Sequence, residues 1–306
     1  MAVLVANEGF DPVIFAGASC AFGVFDGMHK GHRFLLDRTI ETARDTQAHA
    51  IALTFDIDPD EVFHPTRLKK LMRNDDRLAA LAASGVDDVV VLPFTPNLFT
   101  RTPDDFLAFA FCAGAPAHLH VGEDFHFGAK AAGTVGTLED WGEQTGCRIH
   151  AHRLVSADGK PITATRVRLA LLECKVEEAA ELLGHPYVLR ETVRRGRGEG
   201  ADFGFATANL QVKPHDRVLG EGVYAAWATI DGARFKAAVS VGVSPTFQAE
   251  SSADAEAHIL DFTGDLVGRE IALEFATYLR PMIKFDSTEE LIATVMGNID
   301  WIRANL

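Results

Sequence analysis

The chain has 306 residues, 47% of them hydrophobic and 24% charged, and a formal net charge of -14 at pH 7. That length allows two domains with separate cores. The acidic balance excludes a global field for nucleic-acid phosphates, so any anionic ligand needs a local site, and no apolar run reaches the roughly 18–20 residues that span a membrane.

The N-terminal MAVLVANEGFDPV lacks the basic region and long apolar stretch of a signal peptide. Cys20, Cys112, Cys147 and Cys174 are far apart and form no CxxC pair. They read as small buried hydrophobes in a reducing compartment, which places the protein in the cytoplasm.

In chain order, apolar runs alternate with helical patterns. The runs are CAFGVF, HAIALTF, DDVVVLPF, AHLHVG and CRIHAHRLV. Between them lie GHRFLLDRTIETARDTQ, LKKLMRNDDRLAALAASG, TPDDFLAFAFCAG and GTLEDWGEQTG, and the last run leads into TATRVRLALLECKVEEAAELLG. Strands buried on both faces and followed by helices predict an α/β domain with a doubly wound parallel sheet over residues 1–182. Ligands in such sheets bind outside the carboxyl ends of the strands, where Phe25 to His32 falls.

After Gly184-His185-Pro186 the segments become short and often alternating: YVLRETVRR, GVYAAWATI, RFKAAVSVGV, AEAHILDF and IALEFATYL. They predict a small antiparallel β-barrel over residues 183–306. Asp231-Gly232 is a type I′ hairpin signal. The chain closes with a helix, STEELIATVMGNIDWIRANL, capped by Ser287 with Glu290 completing a capping box.

FGVFDGMHKGHRF passes from a strand into an amphipathic helix. Phosphate groups need backbone N–H donors at close approach, which favours Gly23, Gly27 and Gly31, and they gain from a helix N-terminus near Gly31. His29 and His32, three apart at that helix start, can point toward one ligand. An incidental histidine pair and a metal held with Asp26 are the competing readings.

HKGH fits the HxGH signature of the nucleotidyltransferase superfamily. The longer GVFDGMHKGH resembles the prokaryotic bifunctional riboflavin kinase/FMN adenylyltransferase (FAD synthetase) family. VGEDFHFG is similar to that family's flavin-side loop, and ITATRVR is similar to a segment that contacts ATP phosphates. The resemblance implies that His29 and His32 stabilise the ATP triphosphate, within a nucleotide segment that includes Gly23, Phe25, Asp26, Gly27 and Gly31. It also implies that Thr163, Thr165 and Arg166 close over the phosphates, while Asp124 and Phe127 lie on the flavin side. Arg166 fits phosphate independently, as a forked donor. Two departures stand out: Ala164 replaces a usual serine, and TFDIDPDEVF replaces a TF.PHP segment.

A second constellation is RRGRGEGADFGFATANL. Glycines that include Gly196 and Gly198, interleaved with Arg194, Arg195 and Arg197, compose a local anion site. A flexible basic hairpin is the alternative. Thr207 and Asn209 face one way on an extended segment and offer hard oxygen ligands for Mg²⁺ beside nucleotide phosphates. Glu256 and His258 share a strand face, and a glutamate beside a hydroxyl substrate can take its proton.

FATANL, GVYAAW, VGVSPTF and AEAHILDFTGDLVG resemble, in order, the riboflavin kinase module of the same family. The resemblance implies Mg²⁺ and ATP phosphate at Thr207 and Asn209, and Glu256 as general base. Glu191, Ala201, Ala206 and Val267 depart from the pattern. The expected function is therefore phosphorylation of riboflavin to FMN and adenylylation of FMN to FAD, with ATP as co-substrate and Mg²⁺ as cofactor. The expected partners are riboflavin, FMN, FAD and ATP, with no nucleic acid and no membrane. A second reading keeps the adenylyltransferase and makes the barrel a non-catalytic flavin-binding scaffold. The oligomeric state stays open, a homo-oligomer included.

Overall fold

The computed structural model describes residues 2–6, 10–64, 69–111, 114–195, 207–210, 218–242 and 254–306. The chain forms two compact units. One holds Met1–Pro65 and Met72–Thr163, the other Thr66–Leu71 and Ala164–Leu306.

The first unit contains β1 (Ala2–Val5), β2 (Ser19–Phe22), α1 (Lys30–Thr46), β3 (Ala50–Phe55), α2 (Pro59–Phe63), α3 (Asn74–Ala82) and β4 (Asp88–Leu92). It continues with α4 (Pro96–Phe99), α5 (Pro103–Phe111), β5 (His118–Gly122), α6 (Val135–Thr145), β6 (Arg148–His152), and a hairpin of β7 (Ser156–Ala157) and β8 (Lys160–Pro161). Strands β1–β6 make one sheet in the order β1-β4-β3-β2-β5-β6, and every pairing is parallel. The central β2 and β3 are buried along their whole length, which explains why they read as continuous apolar runs. Alternate residues serve two cores. Ile51, Leu53, Val90 and Leu92 pack with α5 and α6 on one face. Ala50, Ala52, Val89 and Val91 pack with α1 and α3 on the other. β2 pairs with β3 on one side and β5 on the other. The strand order therefore reverses at β2, and its carboxyl end is the topological switch point where such sheets take ligands.

The second unit opens with α7 (Ala164–Leu172) and α8 (Val176–Leu183). Its barrel is built from β9 (Tyr187–Arg194), β10 (Thr207–Leu210), β11 (Gly222–Ile230), β12 (Ala233–Gly242), β13 (Asp254–Ile259) and β14 (Glu270–Arg280), and α9 (Thr288–Asn305) ends the chain. The barrel is closed in the order β10-β13-β12-β11-β14-β9, with every pairing antiparallel. Ile299 and Ile302 of α9 bury against Ala225 and Leu260.

Several details differ from the sequence reading, among them the short α2, α4 and β7–β8 elements. MAVLV supplies an unanticipated edge strand, β1, paired with β4. The single helical pattern of 163–184 is two helices, broken where Cys174 takes a left-handed backbone (φ 62). At α9, Ser287 Oγ accepts from the Glu290 amide at 3.1 Å, but the Glu290 carboxylate accepts from the Asp286 amide rather than from Ser287, so half of the expected box is made. The Asp231-Gly232 turn has positive φ at both residues (47 and 83), as a type I′ hairpin requires.

Candidate active sites

In the first unit, β2 ends at Phe22 and the chain turns through a left-handed run. Phe25, Gly27 and Met28 have φ of 62, 76 and 46. Gly27 adopts this without cost, and the other two are held by burial of Phe25 (0% exposed) and Met28 (3%). The turn delivers His29 as the N-cap of α1. Its Nδ1 accepts from the His32 backbone amide at 3.3 Å. An accepting Nδ1 leaves Nε2 as the protonated, donating nitrogen of the neutral ring. The His29 and His32 rings stack at 3.6 Å with an interplanar angle of 16°. A Cβ at Gly31 would lie 3.1 Å from the His29 ring, so the small residue between the histidines is what lets the ring fold over the helix start. The histidines thus present stacked imidazoles at a helix N-terminus, the end that favours anions.

The other residues of this turn have distinct placements. Gly23 is half-buried, and the Phe25 ring meets His32 edge-on at 5.3 Å. Asp26 is buried and accepts from the Met72 amide at 3.3 Å. Among the described residues no group of three or more His, Cys, Asp or Glu side chains is placed to hold a metal ion.

The unusual TFDIDPDEVF segment builds its own loop. Asp58 caps α2 and forms a complete capping box with Glu61. Asp56 accepts from the Ile57 and Phe94 amides. Nearby Phe55, Phe63, Phe94 and Phe99 contact one another at 5.2–5.8 Å between ring centres, and Phe63 is 49% exposed. This aromatic row at the carboxyl ends of β3 and β4 was missed from sequence. Its members are spread over 45 residues and only the sheet gathers them. On the expected flavin side, Asp124 is exposed, whereas Phe127 is a core residue packed on Phe106 at 5.5 Å and paired with Gly133 through two backbone hydrogen bonds.

Thr163 ends the first unit, and Thr165 and Arg166 belong to α7 of the second. Arg166 is largely covered and pairs with Glu178 of α8 at 3.5 Å.

In the barrel, β10 and β13 set Asn209 opposite Glu256 and Thr207 opposite His258. Their neighbours Ala208, Leu210, Ala255 and Ala257 are buried. The alternation therefore puts Thr207, Asn209, Glu256 and His258 together on the outer face. Directly opposed residues have Cβ atoms about 4.5–5.5 Å apart, close enough for an amide oxygen, a hydroxyl and a carboxylate to share one phosphate-bearing ligand. Arg194 and Arg195 lead out of β9 beside this pair. Gly196, Gly198, Ala201 and Ala206 lie outside the described residues. Glu191 is on β9, paired with Ile271, and Val267 is exposed beyond β13.

Comparison with known proteins matches both halves of the chain. The family model of FAD synthetase matches residues 12–166 and that of riboflavin kinase matches residues 183–306. The bifunctional riboflavin kinase/FMN adenylyltransferase of Pseudomonas fluorescens is 32% identical over 94% of this chain and 93% of its own length. The enzyme of the same description from Escherichia coli K12 is 31% identical over 91% and 90%. A solved structure from Streptococcus pneumoniae, described as a macrolide-efflux protein, superposes with a TM-score of 0.83 at 28% identity over 95% of both chains. No helix among the described residues here is long and apolar enough to cross a membrane. With both family models matched in order and full-length relatives at this identity, the chain belongs to the bifunctional riboflavin kinase/FMN adenylyltransferase family.

Proposed function

We propose that the two activities divide between the regions 1–182 and 183–306, with FMN made by the barrel and consumed by the parallel-sheet domain. In the first reaction the riboflavin 5′-hydroxyl attacks the γ-phosphorus of ATP, giving FMN and ADP. Glu256 takes the hydroxyl proton as general base. Asn209, directly across the ladder from Glu256, and Thr207 hold the phosphates. Their amide and hydroxyl oxygens fit a hard divalent cation such as Mg²⁺, which would supply charge neutralisation on the transferring phosphoryl group. Gly196 and Gly198 are assigned to the same anion site from sequence.

In the second reaction an FMN phosphate oxygen attacks the α-phosphorus of ATP and pyrophosphate leaves. FMN phosphate is already an anionic nucleophile, so this step asks for positioning and charge stabilisation rather than a base. His29 donates from Nε2, and His32 and the α1 N-terminus add to the positive field. Gly23, Gly27 and Gly31 let the backbone approach. Phe25 and Asp26 belong to the same nucleotide segment and also shape the turn. Thr163, Thr165 and Arg166 are assigned to the ATP phosphates from the sequence resemblance alone. The flavin ring lies beside Asp124 and the Phe63–Phe94–Phe99 row, with Phe127 as buried support. Buried Cys20 and Cys147, whose thiols burial keeps protonated, fit a reducing compartment.

The observation that carries this division is that the stacked histidines and the Asn209–Glu256 pair lie in different compact units. His29→Ala should lower FAD formation from FMN by at least about 100-fold while FMN formation stays within twofold. Glu256→Gln should do the reverse, with a loss of about 100-fold or more. Parallel loss of both activities in either folded variant would contradict the division. A non-catalytic barrel finds no support, since the kinase ladder keeps Thr207, Asn209 and Glu256 in register.

A further inference from the structure

Arg77, on α3, is 1% exposed, and among the described residues no other lysine or arginine is buried. Its guanidinium spends its donors on five acceptors. Nη1 donates to the Val24 carbonyl at 2.9 Å and to Thr54 Oγ1 at 2.7 Å. Nη2 donates to the Phe55 carbonyl at 2.8 Å, the Asp56 carbonyl at 3.3 Å and Asn74 Oδ1 at 3.4 Å. Thr54 Oγ1 in turn donates to Val24 O at 3.3 Å, so Val24 and the carboxyl end of β3 are tied at one node. Burial pulls the Arg77 pKa down, and Asp26, Asp58, Glu61 and Asp56 oppose that by supplying negative field. Three of the four acids of TFDIDPDEVF, namely Asp56, Asp58 and Glu61, thus supply countercharge to a buried arginine, and Asp26 of the histidine turn contributes more than any of them.

We infer that Arg77 is a positioning residue for adenylyl transfer. Its fork fixes the carboxyl ends of β2 and β3 against each other, and so holds the left-handed Phe25–Met28 turn from which His29 and His32 are presented. The inference rests on reading Gly23–His32 as the nucleotide site. A planar guanidinium can bridge carbonyls of two strands at once, and an ammonium cannot reproduce that fork. A shift of the reacting groups by about 1 Å costs rate by about 100-fold, so the effect belongs in kcat.

The test uses the full chain with Arg77→Met and Arg77→Lys. FAD formation from FMN and ATP, FMN formation from riboflavin and ATP, and amide hydrogen exchange over residues 23–32 are measured on the same preparations. For Arg77→Met the expected result is a fall of about 100-fold in kcat for FAD formation. The KM for ATP should stay within about threefold, kinase activity within about twofold, and exchange in the turn should be faster. Arg77→Lys should recover part of both losses. Should Arg77→Met fail to fold, Arg77→Lys carries the test alone, with a smaller loss of the same kind. Wild-type kcat and wild-type exchange in the folded variants would overturn the inference, as would equal loss of both activities in soluble Arg77→Lys. If the wild-type protein makes no FAD from FMN, the functional reading has failed, and exchange then decides. Faster exchange in the variants supports the clamp, and unchanged exchange removes it.

Discussion

At the scale of single residues, Gly31 separates activity from stability. It sits in the first turn of α1, where alanine is a better helix former by up to about 1 kcal/mol. Yet a Cβ there would come 3.1 Å from both Cε1 and Nδ1 of His29. The ring must tilt or lose its cap bond to the His32 amide. Gly31→Ala should therefore keep global stability within about 1 kcal/mol of wild type, while FAD formation falls by about tenfold or more and FMN formation is unaffected. Unchanged FAD formation would show that the stacked arrangement of the two rings is not required. The HKGH histidines and their glycine were legible in the sequence because their spacing is local and the helix start fixes their direction. Arg77 was not. It falls in LKKLMRNDDRLAALAASG, which shows only a helical pattern, and the packing of α3 against the strand ends turns that arginine inward.

At the scale of elements, the β5–β6 edge carries four histidines that no motif announced. His118 Nδ1 lies 3.0 Å from His150 Nε2, and His120 Nδ1 lies 2.9 Å from His152 Nε2. The two bonded pairs stack, with His120 4.4 Å from His150 at 10°. His120 Nε2 is buried with no hydrogen-bond partner. A bare lone pair is less costly there than an orphaned N–H, which assigns the proton to Nδ1 and makes His120 the donor to His152. Burial depresses all four pKa values. His120 falls to about 3, helped by the other histidines and by Arg38, and Arg148 adds to the effect on His118 and His150. The native state thus binds fewer protons than the unfolded state. The stability from these groups is present above the unfolded value near 6.5 and is lost as pH falls toward about 3. His120 alone sets a slope of up to about 1.4 kcal/mol per pH unit in that window. Denaturant unfolding of the first unit at pH 7.5 and 5.5 should show lower stability at pH 5.5, with a smaller difference in His120→Leu. Equal stability at the two pH values would refute the ladder's neutral state. Element type was read correctly where burial was two-sided, as in β3, or alternation clean, as in β13. The edge strand β1 is short and partly exposed, and the Cys174 break leaves the helical pattern intact, so neither left a periodic signal.

At the scale of the whole molecule, the sequence reading of a parallel-sheet domain followed by a barrel matches the six-stranded parallel sheet and the closed six-stranded barrel. Contacts group α7 and α8 with the barrel, so the compact division falls at Thr163/Ala164. α7 begins at that point, and the sequence reading placed the helical pattern over 163–184 at the end of the first domain rather than at the start of the second unit. The His29–His32 pair and the Asn209–Glu256 pair could be proposed from sequence because each is concentrated on one turn or one strand pair. The aromatic row and the Arg77 node needed tertiary structure, since each joins three or more elements. The central claim is that one chain catalyses two consecutive reactions at separate sites. A single time course tests it most directly. The protein is incubated with riboflavin, ATP and Mg²⁺, and flavins are separated by chromatography, with a parallel reaction started from FMN. The account predicts FMN rising first, FAD following after a lag, and no lag when FMN is supplied. FAD from FMN but no FMN from riboflavin would contradict it.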